Sequence, residues 1–153
     1  MTKQDLTELE QKINYSFKDK NLLKNALTHK TYAFESSSPI EFNERLEFLG
    51  DSILGFIVAE QLYMANKYFS EGELTRRRST LVNNNFLAEY AKKINLGKYL
   101  FLGKGETLQG GSANPTNLAN AMEALIGAVY LDSGIDSVRD FILKCLFTDE
   151  IKF

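Results

Sequence analysis

The chain is poor in residues that form disulfides or bind soft metals, because its 153 residues include one cysteine and one histidine. Cys145 alone cannot form an internal disulfide. Together with His29 it cannot supply the four nitrogen and sulfur ligands of a zinc site. Any metal ion bound within one chain must therefore be held by oxygen ligands.

Long apolar stretches are also missing. No run of about 18 apolar residues occurs, and the polar start at residues 1–5 lacks the basic flank and apolar core of a secretion signal. We therefore expect a cytoplasmic chain without a membrane partner. Its length and its 44% hydrophobic content are ordinary for a globular protein, which predicts one domain over residues 1–153.

An excess of positive charge is also missing, since 18 lysines and arginines stand against 20 aspartates and glutamates, and the net charge of −2 argues weakly against a nucleic-acid partner. The distribution qualifies that argument. Residues 35–60 carry six carboxylates and one arginine, a net charge of −5, whereas residues 67–104 carry a net charge of +5. An acidic site beside a basic surface suits a polyanion that is held by its phosphates and cut with the help of cations. The alternative is that both segments are solvated faces of ordinary helices.

Helical periodicity recurs along the chain and strand alternation hardly appears, which predicts an all-α fold. Polar, proline-ended residues 35–39 and glycine-rich residues 103–115 are expected to be loops. The predicted helices lie at 6–13, 22–27, about 40 or 43 to 66, from 71 to about 82, 86–94, about 117–131 and 138–146.

The third of these helices begins with an acidic face. Glu44, Glu47 and Asp51 lie at i, i+3 and i+7, so they share one side of a helix, while leucines and isoleucines between them can turn toward a core. Such stacking of like charges costs a few tenths of a kcal/mol per pair, roughly. A divalent cation between the carboxylates relieves that cost.

A second unusual carboxylate, Glu123, lies in the apolar helix predicted at 117–131, with Asn120 on the same face. A buried glutamate needs a cation, a polar partner or water. Glu47 and Asp51 are natural companions for it at a metal site. The alternative is an ion pair with an arginine, either Arg45 or Arg76.

The segment 44–52, Glu-Arg-Leu-Glu-Phe-Leu-Gly-Asp-Ser, resembles the signature of the ribonuclease III family. Further matches in family order lie at residues 70–75, 81–83, 96–97, 102–105 and 123–128. The resemblance implies an all-helical endonuclease domain that forms a homodimer. It also implies hydrolysis of double-stranded RNA with Mg²⁺, for which Mn²⁺ is a possible substitute, to 5′-phosphate and 3′-hydroxyl ends in rRNA and mRNA processing.

Carried over by position, the resemblance assigns Glu47, Asp51 and Glu123 to the metal and to organisation of the attacking water. Asp51 and Glu123 are the expected catalytic residues, and Asn120 stands at the fourth metal position. This agrees with the chemistry, because hard Mg²⁺ ions on carboxylates can activate water without a histidine base.

Three further positions also match the family. Glu44 and Glu71 correspond to acidic residues that support the edge of the site. Phe48 corresponds to an aromatic residue that packs into a socket of the partner subunit. The alternative for Phe48 is an ordinary core phenylalanine.

Asn120 departs from the family pattern, in which an aspartate follows the Leu-Ala pair. An asparagine offers one carbonyl oxygen and no charge, so weaker metal binding is expected. Three explanations are open: a natural variant that retains activity, an intact but weakened site, or an aspartate replaced deliberately to trap a substrate complex. The rival function is a weakened or inactive double-stranded-RNA-binding dimer. A carboxylate bundle holding iron is more remote, since His29 lies far from any Glu-x-x-His pair.

The resemblance covers a nuclease domain, and no double-stranded-RNA-binding domain follows it in this chain. Either the sequence is a piece of a longer protein or RNA binding is weak. In both cases we expect affinity to depend on Arg76, Arg77, Arg78 and Lys104, with a steep salt dependence.

Overall fold

The computed structural model describes residues 5–147 and Phe153. Within that part of the chain the regular elements are helical, apart from one isolated parallel bridge between Thr28 and Phe101. The predicted all-α fold is confirmed. The α-helices are α1 Thr7–Ile13, α2 Lys20–Leu27, α3 Lys30–Glu35, α4 Glu44–Ala65, α5 Glu71–Leu81, α6 Asn84–Lys93, α7 Lys104–Leu108, α8 Pro115–Ser133 and α9 Ile135–Cys145, with 3₁₀ turns at Leu96–Tyr99 and Gly111–Ala113.

Local sequence signals fix both ends of α8. Asn114 caps the helix, because its Oδ1 accepts hydrogen bonds from the N–H groups of Thr116 (2.9 Å) and Asn117 (3.1 Å), and Pro115 occupies the first helical position. Gly134 ends the helix with a positive φ of 90°. Asn120 and Glu123 therefore lie inside the helix, where their direction is fixed.

Helices α4 and α8 pack closely at the centre of the core. A Cβ atom on Gly50 would lie 1.7 Å from the backbone oxygen of Glu123, and one on Gly127 would lie 2.4 Å from that of Leu46. Only glycine permits this approach. The two helices run antiparallel, and the contact places Asp51 beside Glu123.

The structure differs from the sequence expectation at helix α3 and in the predicted loop at 103–115, and the 3₁₀ turn at Leu96–Tyr99 was also not predicted. Helix α3 was not predicted, because its six residues are too few to show a helical period; His29 Nδ1 caps it by accepting from the N–H of Thr31 (3.3 Å). The predicted loop at 103–115 is wrong in part, since it contains α7 and a 3₁₀ turn. The backbone N–H of Lys104 donates to Glu35 (2.9 Å), which ties the start of α7 to α3.

Among the described helices, α4 is the one whose length and composition would allow it to cross a membrane. Core helices of soluble proteins can have the same length and composition, so these two properties alone are weak evidence of a membrane segment.

Candidate metal centre

Seven residues line a cavity of about 480 Å³ that is open to solvent. They come from three helices that are distant in sequence. Helix α4 contributes four of them, α8 contributes two and α6 contributes one. The lining residues are Glu44, Glu47, Phe48, Asp51, Asn84, Asn120 and Glu123. The structure thus brings together the four positions predicted as metal ligands, with Glu44 at the edge.

The acidic face of α4 is arranged as its spacing predicts. Glu44 and Asp51 are exposed and Glu47 is half-buried. Burial raises the pKa of Glu47, and the negative charges of Glu44 and Asp51 raise it further.

Glu123 faces these carboxylates from α8 and is only 6% exposed. Its burial raises the pKa of its carboxyl group to about 8, with smaller contributions from the charges of Asp51 and Glu47 and from a hydrogen bond with Asp51. None of the ion pairs in the described residues joins Glu123 to an arginine. The predicted alternative of an arginine partner therefore finds no support.

The donor set fits a hard cation such as Mg²⁺, because it consists of carboxylate oxygens and one amide oxygen. A bound cation would also relieve the repulsion that raises the pKa of Glu123. The side chains do not yet converge on one point. Across residues 5–147, no three aspartate, glutamate, histidine or cysteine groups are arranged around a single ion position. Rotation of exposed carboxylates such as Glu44 and Asp51 would be needed to complete the coordination.

Two residues near the cavity were missed by sequence reasoning. Asn84 lines the cavity from the first residue of α6, which Asn83 caps by accepting from the N–H of Phe86 (2.9 Å). The Asn-Asn-Asn run had indicated only a helix boundary. Lys30 Nζ lies 3.7 Å from Glu44 Oε1 at the edge of the site, and nothing in its local sequence indicates that contact.

The remaining predicted residues lie outside the cavity lining. Glu71 is exposed at the start of α5. Arg76 and Arg78 are exposed on the same helix, whereas the guanidinium of Arg77 is half-buried and lies 4.1 Å from the ring centroid of Phe69. Lys104 is exposed as the first residue of α7.

Phe48 is 78% exposed, so its alternative assignment as a core residue is wrong. It borders the acidic cavity on one side and a mostly apolar cavity of about 920 Å³ on the other. Glu44 also lines both. The second cavity, called the apolar socket below, is lined by Leu22, Asn25, Ile40, Glu41, Phe42, Glu44, Arg45, Leu46, Phe48, Leu49 and Leu131.

Residues 19–150 match the family model described as Ribonuclease-III-like. A curated relative, Ribonuclease 3 of Caldanaerobacter subterraneus subsp. tengcongensis, is 52% identical over 138 residues, which are 90% of this chain and 60% of that protein. The Clostridium tetani Ribonuclease 3 is 50% identical, with 92% and 59% of the two chains covered. The chain thus spans about 60% of the length of these curated relatives.

Solved structures give the same relationship. The crystal structure of the nuclease domain of ribonuclease III from Campylobacter jejuni matches with a TM-score of 0.89 and 37% identity, covering 99% of both chains. A second structure of that nuclease domain, described for flexibility in a region involved in dimer formation, matches with a TM-score of 0.87 and 39% identity over 93% of this chain and 96% of its own.

Proposed function

The chain belongs to the ribonuclease III family, and from that premise we propose that it is a Mg²⁺-dependent endoribonuclease that cleaves double-stranded RNA in cytoplasmic RNA processing. The observation that carries the proposal is the acidic cavity, which Glu47, Asp51, Asn120 and Glu123 line from two helices. A decayed site would have no reason to keep three clustered and costly acids.

The proposed reaction is hydrolysis of one phosphodiester bond in each strand. The oxygen of water attacks phosphorus, the bond from phosphorus to the 3′ oxygen breaks, and the products carry a 5′-phosphate and a 3′-hydroxyl. Bound Mg²⁺ supplies a more acidic water and stabilises charge on the leaving oxygen. Glu47, Asp51, Asn120 and Glu123 would hold the ion. Glu123 faces the other carboxylates from α8 and would help to orient the attacking water.

Substrate binding is proposed to depend on the phosphate backbone. Arg76, Arg78 and Lys104 are exposed and can contact phosphates, whereas Arg77 is partly committed to Phe69. A-form RNA is recognised mainly by its shape and its 2′-hydroxyl groups, so we expect little base specificity. Because these contacts are ionic, affinity should fall steeply with salt.

A homodimer is the proposed active form. One chain carries one acidic cavity, and cutting both strands needs two cavities related by a two-fold axis. The exposed side of α4 carries Phe48, Phe56 and Tyr63. We assign this face to a second subunit rather than to a membrane, because the first two turns of the same helix carry Glu44, Glu47 and Asp51.

A second candidate is a non-catalytic or weakened dimer that binds double-stranded RNA. It is favoured by one observation, namely that Asn120 lines the cavity at a position where the family resemblance implies an aspartate. Loss of one charge and one oxygen ligand weakens any bound cation.

Cleavage of a long RNA duplex in Mg²⁺ tests the two candidates. The chain is expected to cut the duplex and leave 5′-phosphates. Replacement of Glu123 by glutamine should lower the rate by about 100-fold or more, whereas Glu89→Gln, an exposed change on α6, should leave it unchanged. Binding of the duplex without cleavage would favour the second candidate. Equal rates for wild type and Glu123→Gln would contradict the proposed site.

A further inference from the structure

The start of the acidic helix α4 is anchored by a buried asparagine. Asn43, the residue before the helix, is 5% exposed. Its side-chain Nδ2 donates to the backbone oxygen of Ala26 (3.2 Å), and its backbone N–H donates to the oxygen of Thr28 (2.9 Å). Both acceptors lie at the end of α2. A single residue thus joins α4 to a segment that is distant in sequence.

This use of the side chain is unusual for its position. An asparagine before a helix normally caps it by accepting from backbone N–H groups of the first turn, as Asn83 and Asn114 do for α6 and α8. Helix α4 has no side-chain cap of this kind. The carboxamide of Asn43 instead holds the helix against α2, and α4 goes without the stabilisation of a side-chain cap.

The end of α2, which accepts the hydrogen bonds of Asn43, is itself held in place by backbone hydrogen bonds. Thr28 and Phe101 form the isolated bridge, the N–H of Phe101 donates to Leu27 (2.9 Å), and the N–H of His29 donates to Phe101 (2.9 Å). The position of the α4 start is therefore set by three separate stretches of chain.

The hydrogen bonds of Asn43 to α2 are linked to the acidic cavity through the first turn of α4. The backbone oxygen of Asn43 accepts from the N–H of Glu47 (2.8 Å), so the carboxamide and the first cavity residues belong to one hydrogen-bonded unit. The other end of the acidic face is fixed by the contact of Gly50 with the backbone of Glu123. With both ends held, Glu44 and Glu47 keep their placement relative to Glu123.

We propose that Asn43 is a positioning residue for the cation-binding carboxylates, acting through the first turn of α4. This inference rests on the proposed function, since it assumes that the acidic cavity binds Mg²⁺. Loss of the anchor should let the first turn shift, moving Glu44 and Glu47 relative to Asp51 and Glu123. Mg²⁺ binding would then be weaker than in a variant that loses similar stability through a change elsewhere in the fold.

The test is a titration with Mg²⁺ in which the thermal unfolding temperature is measured without RNA. Asn43→Ser and Asn43→Ala remove the bond to Ala26 without adding charge. Each should need about 10-fold more Mg²⁺ than wild type for half of the maximal stabilisation, as is typical when support of metal ligands is lost. The matched control is Ile142→Val, a change at a fully buried position of α9 that should lower the unfolding temperature and leave the half-saturating Mg²⁺ concentration unchanged.

Two results would overturn the proposal. One is a lower unfolding temperature in both Asn43 variants with the half-saturating Mg²⁺ concentration of wild type, which would mean a structural role alone. The other is a wild-type chain that Mg²⁺ does not stabilise. Binding of Mg²⁺ without RNA cleavage would count against the proposed activity only, because the comparison of variants is made without RNA. Asn43→Ser is the milder change and serves if Asn43→Ala does not fold.

Discussion

At the scale of single residues, Asn120 controls the charge of the acidic cavity. It supplies one amide oxygen, whereas an aspartate would supply two oxygens and a negative charge facing Glu123. We expect Asn120→Asp to bind Mg²⁺ about 10-fold to 100-fold more tightly and to cut duplex RNA at lower Mg²⁺ concentration. Cleavage rates over a series of Mg²⁺ concentrations measure this.

A control for the added charge is Asn85→Asp, which places a carboxylate at an exposed position of α6 outside the cavity lining. It should leave the Mg²⁺ dependence unchanged. Identical Mg²⁺ curves for Asn120→Asp and wild type would show that Asn120 does not contact the ion.

Glu123 gives the metal-free protein a pH-dependent stability. Its pKa rises from an ordinary 4.5 to about 8 on folding, so the folded chain keeps a proton that the unfolded chain releases. This contribution is fully present below about pH 4.5 and is lost as the pH rises through about 8. In EDTA, the unfolding temperature should therefore fall between pH 5 and pH 8, with a stability loss of a few kcal/mol, roughly.

Glu123→Gln should flatten that pH profile, because glutamine does not titrate. Glu47, whose pKa is raised by burial and by its neighbours, acts in the same direction and should leave a smaller slope. Saturating Mg²⁺ should reverse the slope, since the ion competes with the proton. A profile for Glu123→Gln that matches wild type in EDTA would contradict this assignment.

At the scale of helices, the close contact between α4 and α8 depends on Gly50. An alanine Cβ there would meet the backbone oxygen of Glu123 at 1.7 Å, and a backbone atom cannot move aside as a side chain can. We expect Gly50→Ala to lower the free energy of unfolding by about 1–3 kcal/mol or more. It should also weaken Mg²⁺ binding, because separation of the helices moves Asp51 away from Glu123.

Chemical denaturation of Gly50→Ala beside Gly72→Ala tests this. Gly72 lies in the first turn of α5 with only the hydroxyl of Ser70 near the site of a Cβ, at 3.9 Å. Alanine there should raise stability by up to about 1 kcal/mol. Equal midpoints for Gly50→Ala and wild type would mean that the two helices are not held at this distance.

The helices also show which features could be predicted from the sequence and which could not. Helical periodicity predicted both α4 and α8. It also predicted the acidic face of α4, because residues three and four positions apart lie on the same side of a helix. Helices α3 and α7 are too short to show a period. Asn43 and Asn84 were missed for a different reason: Asn43 donates to the end of α2, Asn84 lines a cavity shared with α4 and α8, and no local pattern records either placement.

At the scale of the whole molecule, the acidic cavity and the apolar socket meet at one turn of α4. Glu44 and Phe48, four residues apart, line both. Sequence spacing predicted the acidic side of this arrangement. The socket was implied only by the family resemblance, because its walls come from α2, the segment before α4 and the end of α8.

For the whole molecule, we predict that Phe48 stabilises the dimer. An exposed phenylalanine beside an apolar cavity is stabilised when a second subunit covers it, and burial of such a side chain is worth about 2 kcal/mol. A two-fold axis doubles the contact. Phe48→Ala should therefore raise the dimer dissociation constant by about 100-fold or more, measured by sedimentation equilibrium. Leu108→Ala, which truncates an 87% exposed side chain on α7, should leave it unchanged.

Cleavage products extend the same test. A monomeric Phe48→Ala chain keeps its acidic cavity, so it should nick one strand at a time, while the dimer cuts both strands in one encounter. Nicked duplex should therefore accumulate for Phe48→Ala at protein concentrations where wild type yields short duplexes. A wild-type chain that sediments as a monomer at micromolar concentration and still cuts both strands together would refute the requirement for two cavities, and with it the role of Phe48.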